Sequence, residues 1–336
     1  MLDVYYTIDT EFWSSRPYTS PEDYESDFDR DIHGKTARGS FGLDFQLKRF
    51  AENGLKAVCF TETLHSLLLG IKPLQRITDI IKTYGHDTQL HCHTEWLQQP
   101  CPWQENDFPA PLQGRSGQHI RHFSEGSQAA IIAVGVEALQ TCGVPPIWAF
   151  RAGNYGADNV TLRACSFNGI IYDSSYNYPY LKAACRIETP QPLLSPQQIE
   201  GIWEIPIPFF DTFRGPRHVQ VAAASNSELE AAMMHAYKSN WKTFVIVSHS
   251  FELIHRDKKE ELGEYNGIQV RRFERLCEFL KQNSDKFRTR TFTELANDEN
   301  GEASLSDDPA NYESHAMSSI STIGRLIEHA RQRWAW

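Results

Sequence analysis

Residues 41–61 read FGLDFQLKRFAENGLKAVCFT, and this stretch contains one complete helix-to-strand unit. Its first part places apolar residues such as Leu43 and Leu47 at helical spacing, and Gly54 marks the end of that helix. The compact apolar run 55–61 is typical of a strand that is buried on both faces. A helix, a glycine and a buried strand in succession predict a parallel sheet covered by helices.

The same pattern repeats outward along the chain in both directions. Further helices are predicted around 74–81 and at 128–142, 159–168, 228–240 and 270–282. Further strands are predicted at 4–8, 88–93, 147–151, 170–173, 202–207, 243–249 and 287–291. About seven such units favour a closed barrel of the α/β class, with a doubly wound open sheet as the alternative.

The pattern also predicts how the chain is divided. Residues 1–296 are expected to form the barrel, 297–317 an acidic linker and 318–336 a C-terminal helix. The polar stretch 14–40 is longer than an ordinary connection, which favours a lid or rim loop. Whether it closes over a site is left open.

Composition excludes several classes of protein. The chain has 336 residues, 40% of them hydrophobic, and a formal net charge of -10, so we expect a folded protein without a nucleic-acid footprint. No apolar run reaches the ~18 residues that span a membrane. The N-terminus reads as a strand, not as a secretory signal, and the seven cysteines are scattered, so we expect reduced thiols in a cytoplasmic protein.

Side chains that carry chemistry follow five of the predicted strands. The carboxyl ends of parallel strands are where α/β barrels build their active sites, so we expect these groups to converge. They are Asp9 and Glu11, then His91, His93 and Glu95, then Arg151 with Asn154, then Asp173, and finally His249.

The spacing of two pairs favours a metal site. In an extended chain, residues two apart point the same way, so Asp9 with Glu11 and His91 with His93 each aim at one point. Two imidazoles and a carboxylate with open positions are the ligands of a hydrolytic zinc site. The remaining carboxylate is then available as a base.

Three other strand-end residues have two interpretations each. Arg151 either holds a carboxylate ionised or is a surface residue beside a glycine turn. His249 suits a general acid, or it is a hydrogen-bonded structural histidine. Asp173 either pairs with Arg151 or caps the segment that follows.

These motifs, in this order, resemble those of the polysaccharide deacetylases, the NodB-homology domain of carbohydrate esterase family 4. The resemblance covers residues from about 4 to 295 and is greatest to a divergent branch associated with bacterial surface-polysaccharide synthesis. The segments that carry it are 7–11 (TIDTE), 54–60 (GLKAVCF), 91–95 (HCHTE), 150–156 (FRAGNYG), 172–175 (YDSS) and 248–250 (SHS).

The resemblance implies a distorted (β/α)7 barrel of the polysaccharide deacetylase type. It also implies a metal-dependent hydrolase that removes an N- or O-acetyl group from a sugar. It implies that Asp9 is the base, that Arg151 orients it, that the Tyr155 backbone N–H helps form the oxyanion hole and that His249 is the acid. Asp173 belongs to the fourth motif. A divalent ion, zinc being the expected one, would be bound by three ligands, namely Glu11, His91 and His93.

The sequence departs from the family pattern at the second motif. The family has two histidines four apart, whereas this chain has Glu95 at the later position, so either His93 substitutes at the shorter spacing or Glu95 is itself a ligand. The roles of Asp9 and Glu11 are also interchangeable at this stage. The third motif lacks the usual proline and has one extra residue before Tyr155.

For a cytoplasmic enzyme, a sugar nucleotide or a lipid-linked oligosaccharide is the expected substrate. Two alternatives stay open. One is a hydrolase of non-peptide C–N bonds on a small molecule, and the other is a carbohydrate-binding protein whose site has decayed. The oligomeric state is not determined by the sequence.

Overall fold

The computed structural model describes residues 1–13, 18–20, 22–99, 112, 117–256, 262–299, 301–305 and 312–317. Strands and helices alternate along these residues, as the sequence predicts. The strands are β1 (Leu2–Thr10), β2 (Lys35–Thr36), β3 (Gly39–Ser40), β4 (Val58–Glu62), β5 (Asp87–Cys92), β6 (Ala149–Ala152), β7 (Tyr172–Asp173), β8 (Gln197–Ile199), β9 (Ile202–Glu204), β10 (Phe209–Thr212), β11 (Gly215–His218), β12 (Thr243–His249), β13 (Ile254–His255), β14 (Glu264–Tyr265), β15 (Phe287–Thr289) and β16 (His315–Ala316). The helices are α1 (Glu25–Asp31), α2 (Leu43–Glu52), α3 (Ser66–Leu69), α4 (Lys72–Thr83), α5 (Glu125–Thr141), α6 (Asn159–Phe167), α7 (Asn226–Lys238), α8 (Gly267–Gln282), α9 (Phe292–Ala296) and α10 (Gly301–Leu305).

The main sheet positions the site. It runs in the order β12-β1-β4-β5-β6-β7-β9-β8, and β15 pairs with the first part of β1. Every one of these pairings is parallel except that of β8 with β9. Parallel neighbours require crossover connections. Helices α2, α4, α5 and α6 lie in the connections from β1 to β4, from β4 to β5, from β5 to β6 and from β6 to β7, respectively. β1 is buried along its whole length.

Backbone hydrogen bonds bring the two ends of this sheet toward each other. The Val219 N–H donates to the Pro208 carbonyl over 2.9 Å, and the Val221 N–H donates to the Val247 carbonyl over 3.0 Å. The chain that follows β9 is thereby joined to β12, which lies at the other end of the strand order. The sheet is curled into an incomplete barrel, and the predicted distorted-barrel fold is confirmed.

The helices begin where the sequence supplies side-chain caps. Asp158 and Thr161 form a reciprocal capping box at the start of α6, and Ser225 and Glu228 form one at the start of α7. The predicted bounds are close to the observed ones, and β12 has the bounds that were predicted for it. Capping boxes and glycine stops are local signals, which is why these elements were predictable.

The stretch 14–40 is more ordered than the predicted rim loop. It contains α1 and the hairpin of β2 with β3, while residues 14–17 and 21 lie outside the described residues. Arg30 is fully buried between Asp27 and Asp31, with nitrogen-to-oxygen distances of 2.9 and 2.8 Å. Paired charges can be buried, so the polar composition that suggested a loop was misleading here.

The C-terminal part of the chain is described only in pieces. The segment predicted as a linker, 297–317, includes α10 and β16, and β16 pairs in parallel with β10. The predicted helix 318–336 lies outside the described residues, so the domain division stays a prediction. Each helix in the described ranges is too short or too polar to cross a bilayer.

Candidate active site

The strand register brings the predicted residues to one end of the barrel. On adjacent parallel strands, Asp9 lies opposite His249, and His91 lies opposite Arg151. All four stand at or near the carboxyl end of a strand, where the sheet edge opens toward a cavity. The cavity has a volume of about 340 Å³ and is lined by residues that include Asp9, Glu11, His91, His93 and His249.

Three ligand-type side chains form a compact buried cluster. The Nε2 atom of His93 is 2.5 Å from Oε2 of Glu11, and Nε2 of His91 is 3.5 Å from the same oxygen. Ligand atoms of the three residues all lie within 4.8 Å of one another. Asp9 does not take part in this cluster, so the carboxylate that meets the imidazoles is that of Glu11.

The contacts of these three side chains fit a divalent cation. His91 Nδ1 is 2.7 Å from the Arg151 carbonyl oxygen, which makes Nδ1 the donor and leaves the Nε2 lone pair facing the cluster. Oε2 of Glu11 is buried between the Nε2 atoms of His93 and His91. Two imidazole nitrogens and a carboxylate oxygen that converge in a buried site are the ligand types that zinc or a similar ion takes.

The charges of the cluster are mutually stabilised. Burial raises the pKa of Glu11, but the charge of His93 and hydrogen bonds from both imidazoles hold it well below its usual value. Burial lowers the pKa of His93, but the charge and hydrogen bond of the neighbouring Glu11 raise it well above its usual value. Both shifts favour an ion pair of Glu11 with His93, and the ionised carboxylate is the form that binds a cation.

Carboxylates position His93 from behind. Oε2 of Glu95 is 3.4 Å from Nδ1 of His93, on the opposite side of the ring from Glu11, and Oε1 of Glu95 accepts a hydrogen bond from Asn154 Nδ2 over 2.6 Å. The His93 backbone N–H donates to Glu62 over 3.3 Å. The ring of His93 is thereby oriented toward Glu11.

Asp9 is held by an arginine. Nη1 of Arg151 donates to Oδ1 of Asp9 over 2.6 Å and to the Thr7 hydroxyl over 2.8 Å, and its Nε donates to the Ser174 carbonyl. The guanidinium also lies 4.2 Å from the centre of the Phe60 ring. Arg151 is fully buried, so this is the carboxylate-holding arrangement and not the surface residue of the alternative interpretation.

His249 is paired with a carboxylate that the sequence analysis did not single out. Its Nδ1 is 2.8 Å from Oε2 of Glu252. The other carboxylate oxygen, Oε1, accepts hydrogen bonds from the Gln220 side chain and from the Ala222 N–H. Burial opposes the charged imidazole, but the hydrogen bond and charge of Glu252 raise the pKa of His249 to about 9. The residue is therefore cationic at neutral pH and has a proton to give.

The turn after β6 approaches the cluster closely. Asn154 and Tyr155 have φ values of 54° and 56°, in the left-handed region that side chains rarely adopt. A Cβ on Gly153 would lie 2.7 Å from the Cys92 carbonyl oxygen and from the His93 ring. Only glycine fits there, and the turn brings Tyr155 to the wall of the cavity.

Asp173 is not brought into this cavity. It is fully buried, and it accepts hydrogen bonds from the N–H and the hydroxyl of Ser175, both over 2.9 Å. Glu204, its partner on β9, also lies beside it, and the pKa values of both carboxyls are raised by burial. The hydrogen bonds of Arg151 go to Thr7, Asp9 and Ser174.

Several residues of the site were not predicted from the sequence. Glu252 lies three residues after His249, a spacing that could have pointed to it. The others come from loops and turns, which carry no periodic signal. They are Gln118, Tyr180, Ala184 and Gln220.

Comparison with known proteins identifies the fold. No protein-family model matches the sequence, and no curated protein matches it. A Mycobacterium smegmatis protein assigned as a polysaccharide deacetylase is similar in structure, with a TM-score of 0.54, 15% identity, and coverage of 94% of this chain and 93% of its own. The chain therefore has the fold of the polysaccharide deacetylases, as its motifs imply.

Two other solved structures are similar at lower scores. One is a family 4 carbohydrate esterase from Streptomyces lividans in complex with acetate, at a TM-score of 0.41 and 11% identity over 86% of this chain and 92% of that one. The other is the catalytic domain of a peptidoglycan N-acetylglucosamine deacetylase from Eubacterium rectale, at 0.39 and 8% over 94% and 92%. The conclusion about the fold rests on the Mycobacterium smegmatis structure.

Proposed function

We propose that this protein is a metal-dependent hydrolase that removes an acetyl group from an N-acetyl or O-acetyl sugar. One observation carries the proposal. The cluster of Glu11, His91 and His93 shares a cavity with a carboxylate held by arginine, Asp9, and with a cationic imidazole, His249. A metal site, a base and an acid are the parts that hydrolysis of an acetyl group requires.

Glu11, His91 and His93 would hold the ion, with zinc as the expected metal. A bound divalent ion supplies Lewis-acid polarisation of the acetyl carbonyl group. Asp9 is separate from the cluster and is fixed by Arg151, so it suits the base that takes a proton from the attacking water. These contacts favour Asp9 as base and Glu11 as ligand over the reverse assignment.

His249 completes the reaction as the general acid. Its proton goes to the nitrogen or oxygen of the leaving sugar when the bond to the acetyl carbon breaks. Glu252 fixes the ring through Nδ1, which directs Nε2 as the donating atom. The backbone N–H of Tyr155, on the turn after β6, is proposed to stabilise the oxyanion, and Arg151 acts on Asp9 rather than on substrate.

Glu95 is proposed as a positioning residue and not as a metal ligand. Its carboxylate faces Nδ1 of His93, whereas Glu11 faces Nε2. A carboxylate on the second ring nitrogen orients a ligating imidazole and raises its basicity. The chain thus replaces the later histidine of the family motif with support for the earlier one.

A sugar nucleotide or lipid-linked oligosaccharide in surface-polysaccharide synthesis is the proposed substrate, and the cytoplasm the proposed location. The six described cysteines are all buried and unpaired, which is typical of proteins from a reducing compartment. Cys101 lies outside the described residues. The cavity that these side chains line has a volume of about 340 Å³, and Asn154 in its lining is exposed to solvent.

The test combines metal content with acetate release. We expect about one ion per chain in the purified protein by inductively coupled plasma mass spectrometry, and its loss from the His91→Ala/His93→Ala variant. A matched control is His235→Ala/His315→Ala, which removes a histidine pair outside the cavity. The loaded wild type should release acetate from acetylated sugar nucleotides. If no ion binds after incubation with zinc, cobalt or nickel, the proposed mechanism is wrong.

A further inference from the structure

We propose that Tyr180 is a stacking platform that selects substrates in which the acetyl group is carried by a pyranose ring. This inference rests on the proposed function and names the part of the substrate that the cavity recognises. Tyr180 lines the cavity but lies outside every motif of the predicted site. It remains 39% exposed, one of the few large apolar side chains in the described residues with such exposure.

The ring of Tyr180 packs against two other rings. Its centroid lies 5.3 Å from that of Tyr155 and 5.4 Å from that of His218. His218 is itself fixed, because its Nε2 is 2.7 Å from the side-chain oxygen of Gln220. Aromatic contacts of this kind fix a ring in place, so binding a ligand on it costs little conformational entropy.

The loop that carries Tyr180 is also fixed. The carbonyl oxygen of Tyr180 accepts hydrogen bonds from the Ala183 and Cys185 N–H groups, over 3.1 and 3.2 Å. The side chain of Arg121 donates to the carbonyl oxygens of Ala183 and Ala184, over 3.3 and 2.9 Å. A loop tied down at this many points presents a preformed wall, not a mobile one.

The cavity has two chemically different walls. On the barrel side lie Asp9, His249 and the cluster of Glu11, His91 and His93. The other wall is formed by Tyr180 and Ala184 of the loop. An acetyl group at the barrel side therefore leaves its carrier beside the Tyr180 ring. The C–H groups of a pyranose form an apolar face that suits an aromatic ring, and its hydroxyls suit the exposed amides of Gln118 and Asn154.

The experiment compares a cyclic with an acyclic acetamide. Acetate release is measured with N,N′-diacetylchitobiose and with N-acetylethanolamine, for the wild type and for Tyr180→Ala. We expect kcat/KM to fall about tenfold for the saccharide, through KM, and by less than about twofold for the acyclic amide. Tyr180→Phe should retain the wild-type preference because it keeps the ring. Phe213→Ala, which removes a more exposed ring outside the cavity lining, is the matched control.

Saturation-transfer NMR of the saccharide separates this inference from the proposed function. If the wild type binds the sugar ring without releasing acetate, and Tyr180→Ala loses that contact, the platform stands and the deacetylase proposal fails. If the wild type releases acetate and Tyr180→Ala leaves both the saccharide KM and the ring contact unchanged, the platform is wrong. If the sugar neither binds nor reacts, both proposals are overturned.

Discussion

Asp9 and Glu11 are two residues apart, and they meet different partners. Asp9 lies against the Arg151 guanidinium, whereas Glu11 lies against the nitrogens of His91 and His93. The difference decides which carboxylate holds a metal ion and which is available to move a proton. Because each is nearly completely buried, each needs the partner that the fold supplies.

Substitution of these two acids should separate metal binding from turnover. We expect Asp9→Asn to keep its metal ion and to lose activity by about a thousandfold, because the base is gone while the ligands are intact. Glu11→Gln should lose the ion as well, because a neutral amide is a poor zinc ligand. Metal content and acetate release are measured on both variants. Metal loss from Asp9→Asn together with retention in Glu11→Gln would reverse the assignment.

Removal of the carboxylate of Glu252 should move the alkaline limit of activity. His249 is the proposed acid with a pKa of about 9, so wild-type kcat/KM should fall as pH rises through that value. In Glu252→Gln the pKa returns toward the ordinary value of about 6.5, so the limit moves to lower pH. Activity at pH 8 should fall about tenfold or more.

The pH profile of kcat/KM gives the readout for this change. Glu278→Gln, an exposed carboxylate on α8, is the control and should keep the wild-type profile. An alkaline limit that stays in place in Glu252→Gln would show that His249 is not the acid. The raised pKa also stabilises the fold below the ordinary histidine value, and that contribution is lost as pH rises through about 9.

At the scale of elements, the turn after β6 joins two parts of the site. Asn154 donates to Glu95, which orients His93, and the next residue, Tyr155, lines the cavity. The turn can do this only because Gly153 allows it to pack on the backbone of Cys92. A change in the conformation of the turn should therefore alter the position of His93 in the cluster with Glu11 and His91.

Gly153→Ala should both destabilise the protein and weaken metal binding. The new Cβ would lie 2.7 Å from a backbone carbonyl oxygen, which cannot yield as a flexible side chain does. We expect a loss of about 1–3 kcal/mol of folding stability, measured by denaturant unfolding. Gly126→Ala is the matched control, since nothing lies within 4 Å of its new Cβ in α5, and it should stabilise by about 0.5–1 kcal/mol. Equal effects of the two substitutions would contradict this account.

For the whole molecule, the cluster ties together parts of the chain that are distant in sequence. Glu11 follows β1, while His91 and His93 lie at the end of β5, with β4 between these strands. An ion held by all three would bind the folded chain and not the unfolded one. Metal binding should therefore raise the stability of the whole barrel.

We expect zinc at a hundredfold excess over its dissociation constant to stabilise the wild type by about 2.7 kcal/mol, which raises Tm by roughly 4 °C. The measurement is differential scanning calorimetry with and without zinc, after treatment with a chelator. His91→Ala/His93→Ala should show no such increase, while His235→Ala/His315→Ala should behave as the wild type. An equal increase in all three proteins would indicate binding outside the proposed site.

The sequence by itself determined the order and type of the elements and the residues at the strand ends. Apolar runs, glycine stops and helix caps act over a few residues, so β12 and its neighbouring elements could be predicted from the sequence. Since parallel strands end at one edge, the convergence of Asp9, His91, Arg151 and His249 was also predictable.

Only the tertiary structure decided how those residues are partnered. In the structure, Glu11 meets the imidazoles of His91 and His93, and Asp173 lies outside the cavity. Glu252 is paired with His249, and Tyr180 lines the cavity. The direction of a side chain at a strand end depends on the twist of the sheet and on the loops packed above it. Those loops carry no periodic pattern, and their contacts join residues far apart in the chain, so no local signal encodes them.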